Sequence, residues 1–308
     1  MKPSDQTRFD SLYRQHLNVL HLQGKAPATI DAYSRAVRRV TAFFDCCPDR
    51  LTQNQLRDYF AALVQSHSWS SVKLDRNGLQ FFYRHILNKP WQWVEIVKPP
   101  KFKTLPDILS VDEVSRIINQ TRELRYQTYL LCVYSMGLRL SEALNLTIAD
   151  IDSARMKLHV RCGKGGKDRF VTLPERSLKL LRHYWSTHRN PRFIFPRGKT
   201  HALRHAATQP MDRGGLQKST KAIVKSCGIH KRITIHTFRH CYGAHLVEVG
   251  VNLRVIQQQM GHECPKTTAL YTQLTQTTQT NTDQLINRLV DQLSFDLASS
   301  KPNSKGDS

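Results

Sequence analysis

Residues 98–106, Lys-Pro-Pro-Lys-Phe-Lys-Thr-Leu-Pro, place three prolines and three lysines in nine positions. Proline fixes φ, has no N–H to give to a helix or a sheet, and drives the residue before it out of the α region. The stretch is therefore expected to be extended and exposed, and a chain that carries it cannot close into one uninterrupted body. It divides the sequence into a segment 1–98, a linker 99–106, a segment 107–297 and a polar tail 298–308 that is expected to be disordered. At 308 residues with 40% apolar side chains, both large segments have enough material for a core.

The two segments differ in hydrophobic period. In the first, apolar residues recur at Ile30, Tyr33, Val37, Val40 and Phe44, then at Leu56, Tyr59, Phe60 and Leu63, and again at Leu79, Phe82 and Ile86. This is the spacing of one helix face, with Thr52 and Gln55 as a capping box and Pro90 as a stop. The segment is expected to be a small all-helical domain. The second opens with another capping box, Ser110 and Glu113, and then changes period. Met156, Leu158, Val160 and Cys162 alternate with Lys157, His159 and Arg161, the pattern of a half-buried strand. Gly163 to Asp168 supplies a turn and Phe170 to Leu173 a return strand, so a β-hairpin carries lysines at its tip. Beyond it, Leu178, Leu181 and Trp185 predict a helix, Phe193–Phe195 a short strand, and Gly198–Gly215 a basic loop. Helices then end at Gly228, Gly250 and Gly261, each a left-handed stop. Leu285, Leu289, Leu293 and Leu297 at i, i+4 spacing predict a last amphipathic helix. The fold class expected is mainly α with a small β-sheet in the second domain.

Lys plus Arg number 46 against 24 Asp plus Glu, a formal charge of +22 that favours a polyanionic partner, nucleic acid first. Seven cysteines without a C-x-x-C pair argue against a disulfide framework or a zinc ribbon. The polar N-terminus Met1–Asp10 and the lack of a long apolar run argue against a leader or a membrane span, so a cytoplasmic location is expected.

Four short segments carry reactive chemistry. The first is Gly137-Leu138-Arg139-Leu140-Ser141-Glu142, in which a glycine ends one helix and Arg139 and Glu142 share a face of the next. The second is the hairpin tip with Lys164, for which Lys167 is a rival. The third is His236-Thr237-Phe238-Arg239-His240, on a helix whose other side is read as Phe238, Tyr242, Leu246 and Val249. The fourth is Gly261-His262, with Tyr271 nine positions after the histidine. Each has a bland reading. Arg139 and Glu142 alone are a surface ion pair worth little, Lys164 a solvated turn residue, and Tyr271 a packed aromatic. His236 and His240 have the i, i+4 spacing of zinc ligands, but Thr237 stands where H-E-x-x-H needs its glutamate and Arg239 sets a cation beside any metal. Gly163-Lys164-Gly165 lacks the Ser or Thr of a phosphate loop.

Together, in this order, the segments resemble the active-site pattern of the tyrosine recombinases, the family of phage integrases, Xer-type recombinases and integron integrases. That pattern is an arginine in a G-L-R-x-S-E box, a hairpin lysine, H-x-x-R-H, a G-H pair and a tyrosine about nine residues on, and every element is present here. The resemblance covers the second segment closely and the first only in size and helical character. It implies a helical, SAM-like core-binding domain and an α+β catalytic domain that close on DNA as a C-shaped clamp. It also implies roles: Arg139, Arg239 and His262 on the scissile phosphate, Tyr271 as nucleophile, His236 as its base, and Lys164 as the acid for the leaving 5′ oxygen. Glu142 and His240 orient their neighbours. A phosphotyrosine keeps the energy of the broken ester, so neither cofactor nor metal is expected. The partners implied are a double-stranded recombination site and other copies of the chain, a tetramer linked through the helix Leu285 to Leu297. Integration, excision or transposition of a mobile element is the expected task. A type IB topoisomerase and a catalytically silent DNA-binding regulator are the alternatives.

Overall fold

In the computed structural model, described for residues 1–91, 106–161 and 167–273, the chain forms two compact units, Met1–Lys103 and Thr104–Ser308. The basic proline stretch up to residue 105, Lys164 at the hairpin tip, the helix expected from Leu285 to Leu297 and the polar tail lie outside the described residues.

The first unit is built from α1 (Pro3–Leu22), α2 (Pro27–Phe44), α3 (Gln53–Ser66) and α4 (Trp69–His85). Prolines at the first turns of α1 and α2 occupy positions whose N–H has no partner in any case. Thr52 and Gln55 close the capping box of α3. Gly78 lets α4 lie against α2, since a Cβ there would sit 2.9 Å from Ala36 Cβ and from the Tyr33 backbone. Val37, Val40, Leu56, Phe60, Leu79 and Phe82 fill the space between the helices. Inside it, Asp75 accepts from Arg39 Nη1 at 2.8 Å and from Tyr59 Oη at 2.7 Å, so a buried carboxylate has its charge answered.

The second unit is organised around α6 (Leu124–Met136), against which α5 (Val111–Gln120), α8 (Glu175–Ser186), α10 (Arg213–Ser226) and α11 (Ile235–Glu248) all pack. A three-stranded antiparallel sheet, β1 (Ile151–Asp152), β2 (Lys157–Val160) and β3 (Arg169–Thr172), lies in that order with Ile151 opposite Leu158 and Leu158 opposite Val171. Leu158, Val160 and Val171 point into the core, as the period-2 pattern requires, and Phe170 points out at 61% exposure. The short helix α7 (Leu140–Leu144) packs on α6, the short helix α13 (Pro265–Ala269) packs on α12 (Leu253–Met260), and Leu270–Gln273 is a 3-10 turn.

Three expectations are corrected. Phe193–Phe195 is buried but makes only a single bridge, Thr147 to Phe193, with backbone bonds to Leu146 and Met211 on either side; its apolar run serves burial between loops, not a sheet. The stretch 198–215 contains a helical turn, α9 (His201–His205), capped by Thr200, and α10 begins at Arg213 within it. The buried face of α11 is Ile235, Phe238, Cys241, Ala244 and Val247, whereas Val249 caps its end at 74% exposure.

Candidate active site

The C-terminus of α12 organises the site. Gly261 stops the helix at φ 62°, leaving its last carbonyls without intrahelical partners. Three consecutive carbonyls there each take a guanidinium: Gln259 O from Arg169 Nε at 2.9 Å, Met260 O from Arg239 Nη2, and Gly261 O from Arg139 Nη2 at 2.7 Å. The partial negative charge at a helix C-terminus favours this gathering of cations.

Arg139 and Glu142 are joined locally, three residues apart at the start of one helix. Gly137 ends α6 at φ 59°, Arg139 becomes the cap residue of α7, and Glu142 reaches back to its backbone N–H at 2.7 Å. The same carboxylate accepts from Arg139 Nη1 at 2.7 Å and lies 3.8 Å from Arg239. Burial works to raise the Glu142 carboxyl, but the bonds and charge of Arg169, then those of Arg139, hold it down to about 2. Arg239 is 1% exposed and also donates to Gly137 O at the end of α6. Burial, aided by Arg139, lowers it to about 10, which leaves it charged at neutral pH.

The histidines are of a different kind. Burial, then neighbouring histidine and arginine charge, lowers His240 to about 4. Burial and the charges of Arg239 and Arg139 lower His262 to about 3 and displace His236 in the same direction. At neutral pH these rings are uncharged and the arginines carry the charge. His262 Nδ1 is fixed 2.9 Å from Thr268 Oγ1, and the His236 and His240 rings meet edge to face at 4.6 Å.

Tyr271 is 1% exposed, with its ring against the α11 backbone at Gly243. A Cβ on Gly243 would fall 2.5 Å from Tyr271 Cε2, so only glycine leaves room for the phenol. Tyr271 Oη lies 3.2 Å from His240 Nδ1, and the phenol donates when the imidazole carries its proton on Nε2. Burial pushes the phenol up to about 12 against the pull of Arg239, so it is protonated at rest. Its ring lies 6.1 Å from that of His262.

The structure thus brings together Arg139, Glu142, His236, Arg239, His240, His262 and Tyr271, while Lys164 lies outside the described residues. Beside them is a cavity of about 250 Å³ bordered by Gly261, His262 and four cations, Arg139, Lys167, Arg169 and Arg254, against two carboxylates, Asp168 and Glu263, a net positive lining that suits a phosphate. The imidazole in contact with the phenol is His240, not His236. Cys241 and His245, which follow His236 and His240 on α11, are tied elsewhere: Cys241 Sγ accepts from Leu109 N, and His245 bonds Tyr134 Oη and Leu109 O. Among the described residues no group of three or more His, Cys, Asp or Glu is placed to hold a metal ion. Nor does any helix there have the length and apolarity to cross a membrane. Sequence reasoning missed Gly243 and Arg169. The signal for Arg169 was a charge in phase with Val171 on the inward face of β3.

Residues 107–278 match the model of the phage integrase family, and residues 12–93 match that of the phage integrase N-terminal SAM-like domain. A tyrosine recombinase of Thermosipho africanus is 31% identical over 267 residues, covering 82% of this chain and 90% of the other. The tyrosine recombinase XerA of Pyrococcus horikoshii is 30% identical over 280 residues, 89% of this chain and 93% of the other. Among solved structures, a lambda integrase dimer bound to a COC′ core site has the same fold, with a TM-score of 0.66 at 17% identity over 85% of this chain and 76% of that one. XerH bound to palindromic difH substrate superposes with a TM-score of 0.65 at 17% identity, over 87% and 81%.

Proposed function

The chain belongs to the phage integrase family and is a tyrosine-type site-specific recombinase, and we propose that it cuts and rejoins DNA through a 3′-phosphotyrosine on Tyr271. The observation that carries the mechanism is the convergence, on one helix end, of Arg139 and Arg239 from distant parts of the chain, beside His262 and a protonated phenol.

Attack of a tyrosine oxygen on a phosphodiester passes through a five-coordinate phosphorus with extra charge on its equatorial oxygens. Donors fixed before the reaction stabilise that charge without reorganising. Arg139 and Arg239, clamped by carbonyls and Glu142, have this character, and His262 is the third donor when its Nε2 carries the proton. The Tyr271 Oη–P bond forms as the P–O5′ bond breaks. The phenol proton leaves through the imidazole pair: His240 is the ring that touches the hydroxyl, and His236, edge-on to it, is the base of this reading. Lys164 protonates the departing 5′ oxygen. Attack by a 5′ hydroxyl from a second duplex reverses the step and completes the exchange.

The DNA partner is a double-stranded recombination site, as it is for the lambda integrase dimer on its core site, and the task is integration, excision or transposition of a mobile element. Four copies acting on paired sites, linked through Leu285 to Leu297, are the assembly we propose. The test is capture of a covalent adduct in EDTA from nicked duplexes with a randomised core, followed by strand exchange on the selected site. Wild type is expected to give both, and Tyr271→Phe neither, while the variant still binds DNA. Adducts without exchange would point to a type IB topoisomerase activity, and binding with no adduct to a silent regulator. Adducts surviving Tyr271→Phe would assign the nucleophile elsewhere.

A further inference from the structure

Arg169 begins β3 with its side chain turned inward, only 10% exposed. Each of its three guanidinium nitrogens is engaged: Nη1 and Nη2 fork onto the two Glu142 carboxylate oxygens at 2.9 and 2.7 Å, and Nε donates to Gln259 O at 2.9 Å. Its stem runs under Gly261 so closely that a Cβ there would sit 2.9 Å from Arg169 Cδ. Although it borders the cationic cavity, its donors face protein.

Glu142 poses an electrostatic problem for the reaction. It orients Arg139 through the backbone bond and the side-chain bond, yet its negative charge cancels one of the two guanidiniums meant for the phosphate. With Arg169 present, three guanidiniums stand against one carboxylate, and each carboxylate oxygen has a fixed Arg169 partner besides the one that Arg139 supplies. Without it, a buried carboxylate keeps only Arg139, with Arg239 3.8 Å away, and would draw both inward. We infer that Arg169 is a positioning residue for strand cleavage: it neutralises and locks Glu142, so that Arg139 is held in place with its charge free for the scissile phosphate. Because Arg169 also binds the end of α12, one side chain sets β3, the Arg139–Glu142 box and the Gly261-His262 turn in a common frame.

This inference rests on the phosphotyrosine reading above, and the experiment keeps the two apart. Single-turnover adduct formation and DNA affinity are measured on the nicked duplex selected by the wild-type protein, for wild type, Tyr271→Phe, Arg169→Met, and Arg169→Met combined with Glu142→Gln. Arg169→Met keeps the stem over Gly261 and removes the charge. Its cleavage rate is expected to fall about 100-fold, the scale of losing a fixed donor at the reacting phosphate, with DNA affinity within about threefold. Adding Glu142→Gln removes the charge that Arg169 answered and is expected to restore the rate about tenfold, a recovery that a purely structural role does not produce. Should Arg169→Met not fold, Arg169→Gln, which also removes the charge but keeps a polar end on the stem, makes the same comparison with and without Glu142→Gln. An Arg169→Met rate within about threefold of wild type, or no recovery from the second change, overturns the positioning role while leaving the recombinase reading intact. Failure of wild type itself to form an adduct removes both.

Discussion

The nucleophile is held by an absence of atoms. Tyr271 rests where Gly243 has no side chain, and its hydroxyl reaches His240 from that seat. Gly243→Ala should therefore leave α11 at least as stable, since alanine is the better helix former, yet displace the phenol ring by the width of a methyl group. A misplacement of about 1 Å in a reacting group costs on the order of 100-fold, so single-turnover adduct formation is expected to drop by that factor with DNA binding retained. Wild-type cleavage by Gly243→Ala would show that Tyr271 does not react from this seat. At this scale the sequence was legible where a residue's chemistry is unusual in its own neighbourhood. Arg139, His236, Arg239, His262 and Tyr271 stand out in short segments and come together in the structure. Gly243 was not legible, because its role lies in an aromatic ring that arrives from 28 positions further on. Nor was the identity of the imidazole on the phenol: His236 and His240 sit one turn apart, and only the docking of the last 3-10 turn on α11 brings His240 to the hydroxyl.

Among the elements, glycine stops do the aiming. Gly137 ends α6 in the left-handed region, and the chain reverses so that Arg139 falls at the cap of α7 instead of continuing around α6. A Cβ at Gly137 would meet both the unfavourable φ and the Tyr242 ring, 2.5 Å from Cδ1. Gly137→Ala is expected to cost at least about 1–2 kcal/mol from the backbone alone. Cleavage should fall further than stability predicts, because Gly137 O also receives Arg239. A variant with wild-type melting behaviour and wild-type cleavage would show that α6 can end elsewhere. These stops and the two capping boxes were readable because a cap is a contract between residues three or four apart. The strand expected at Phe193–Phe195 failed for the opposite reason. A short apolar run reports burial without saying whether a neighbouring strand exists to receive its hydrogen bonds, and here single backbone bonds to Leu146 and Met211 take that place. β1, two residues long, left no period to detect.

For the whole chain, the histidines make stability depend on pH in a direction that can be worked out. His16 in the first unit and His188 in the second are fully buried and, chiefly through burial, lowered from 6.5 to about 4, and His240 and His262 are lowered comparably. Between pH 6.5 and about 4 the unfolded chain binds protons at these positions that the folded chain refuses. Stability is therefore complete above 6.5 and is lost as pH falls through that window. Acidification also adds charge to a chain that already carries +22, so repulsion acts in the same direction. His16 allows the buried-ring contribution to be isolated, because it lies between Phe81 and Phe82 at ring distances of 5.6 and 5.5 Å, outside the candidate active site. At pH 5 refusing that proton costs roughly 2 kcal/mol, about 10 °C in the melting of a domain of this size. His16→Leu shifts stability by its packing at every pH, but its loss between pH 7 and pH 5 should be smaller than wild type's by about that amount. Thermal unfolding at the two pH values, followed on the transition of the first unit, measures the difference directly. An equal loss in both proteins would mean that the ring takes up its proton without cost, and that repulsion alone governs the acid limb.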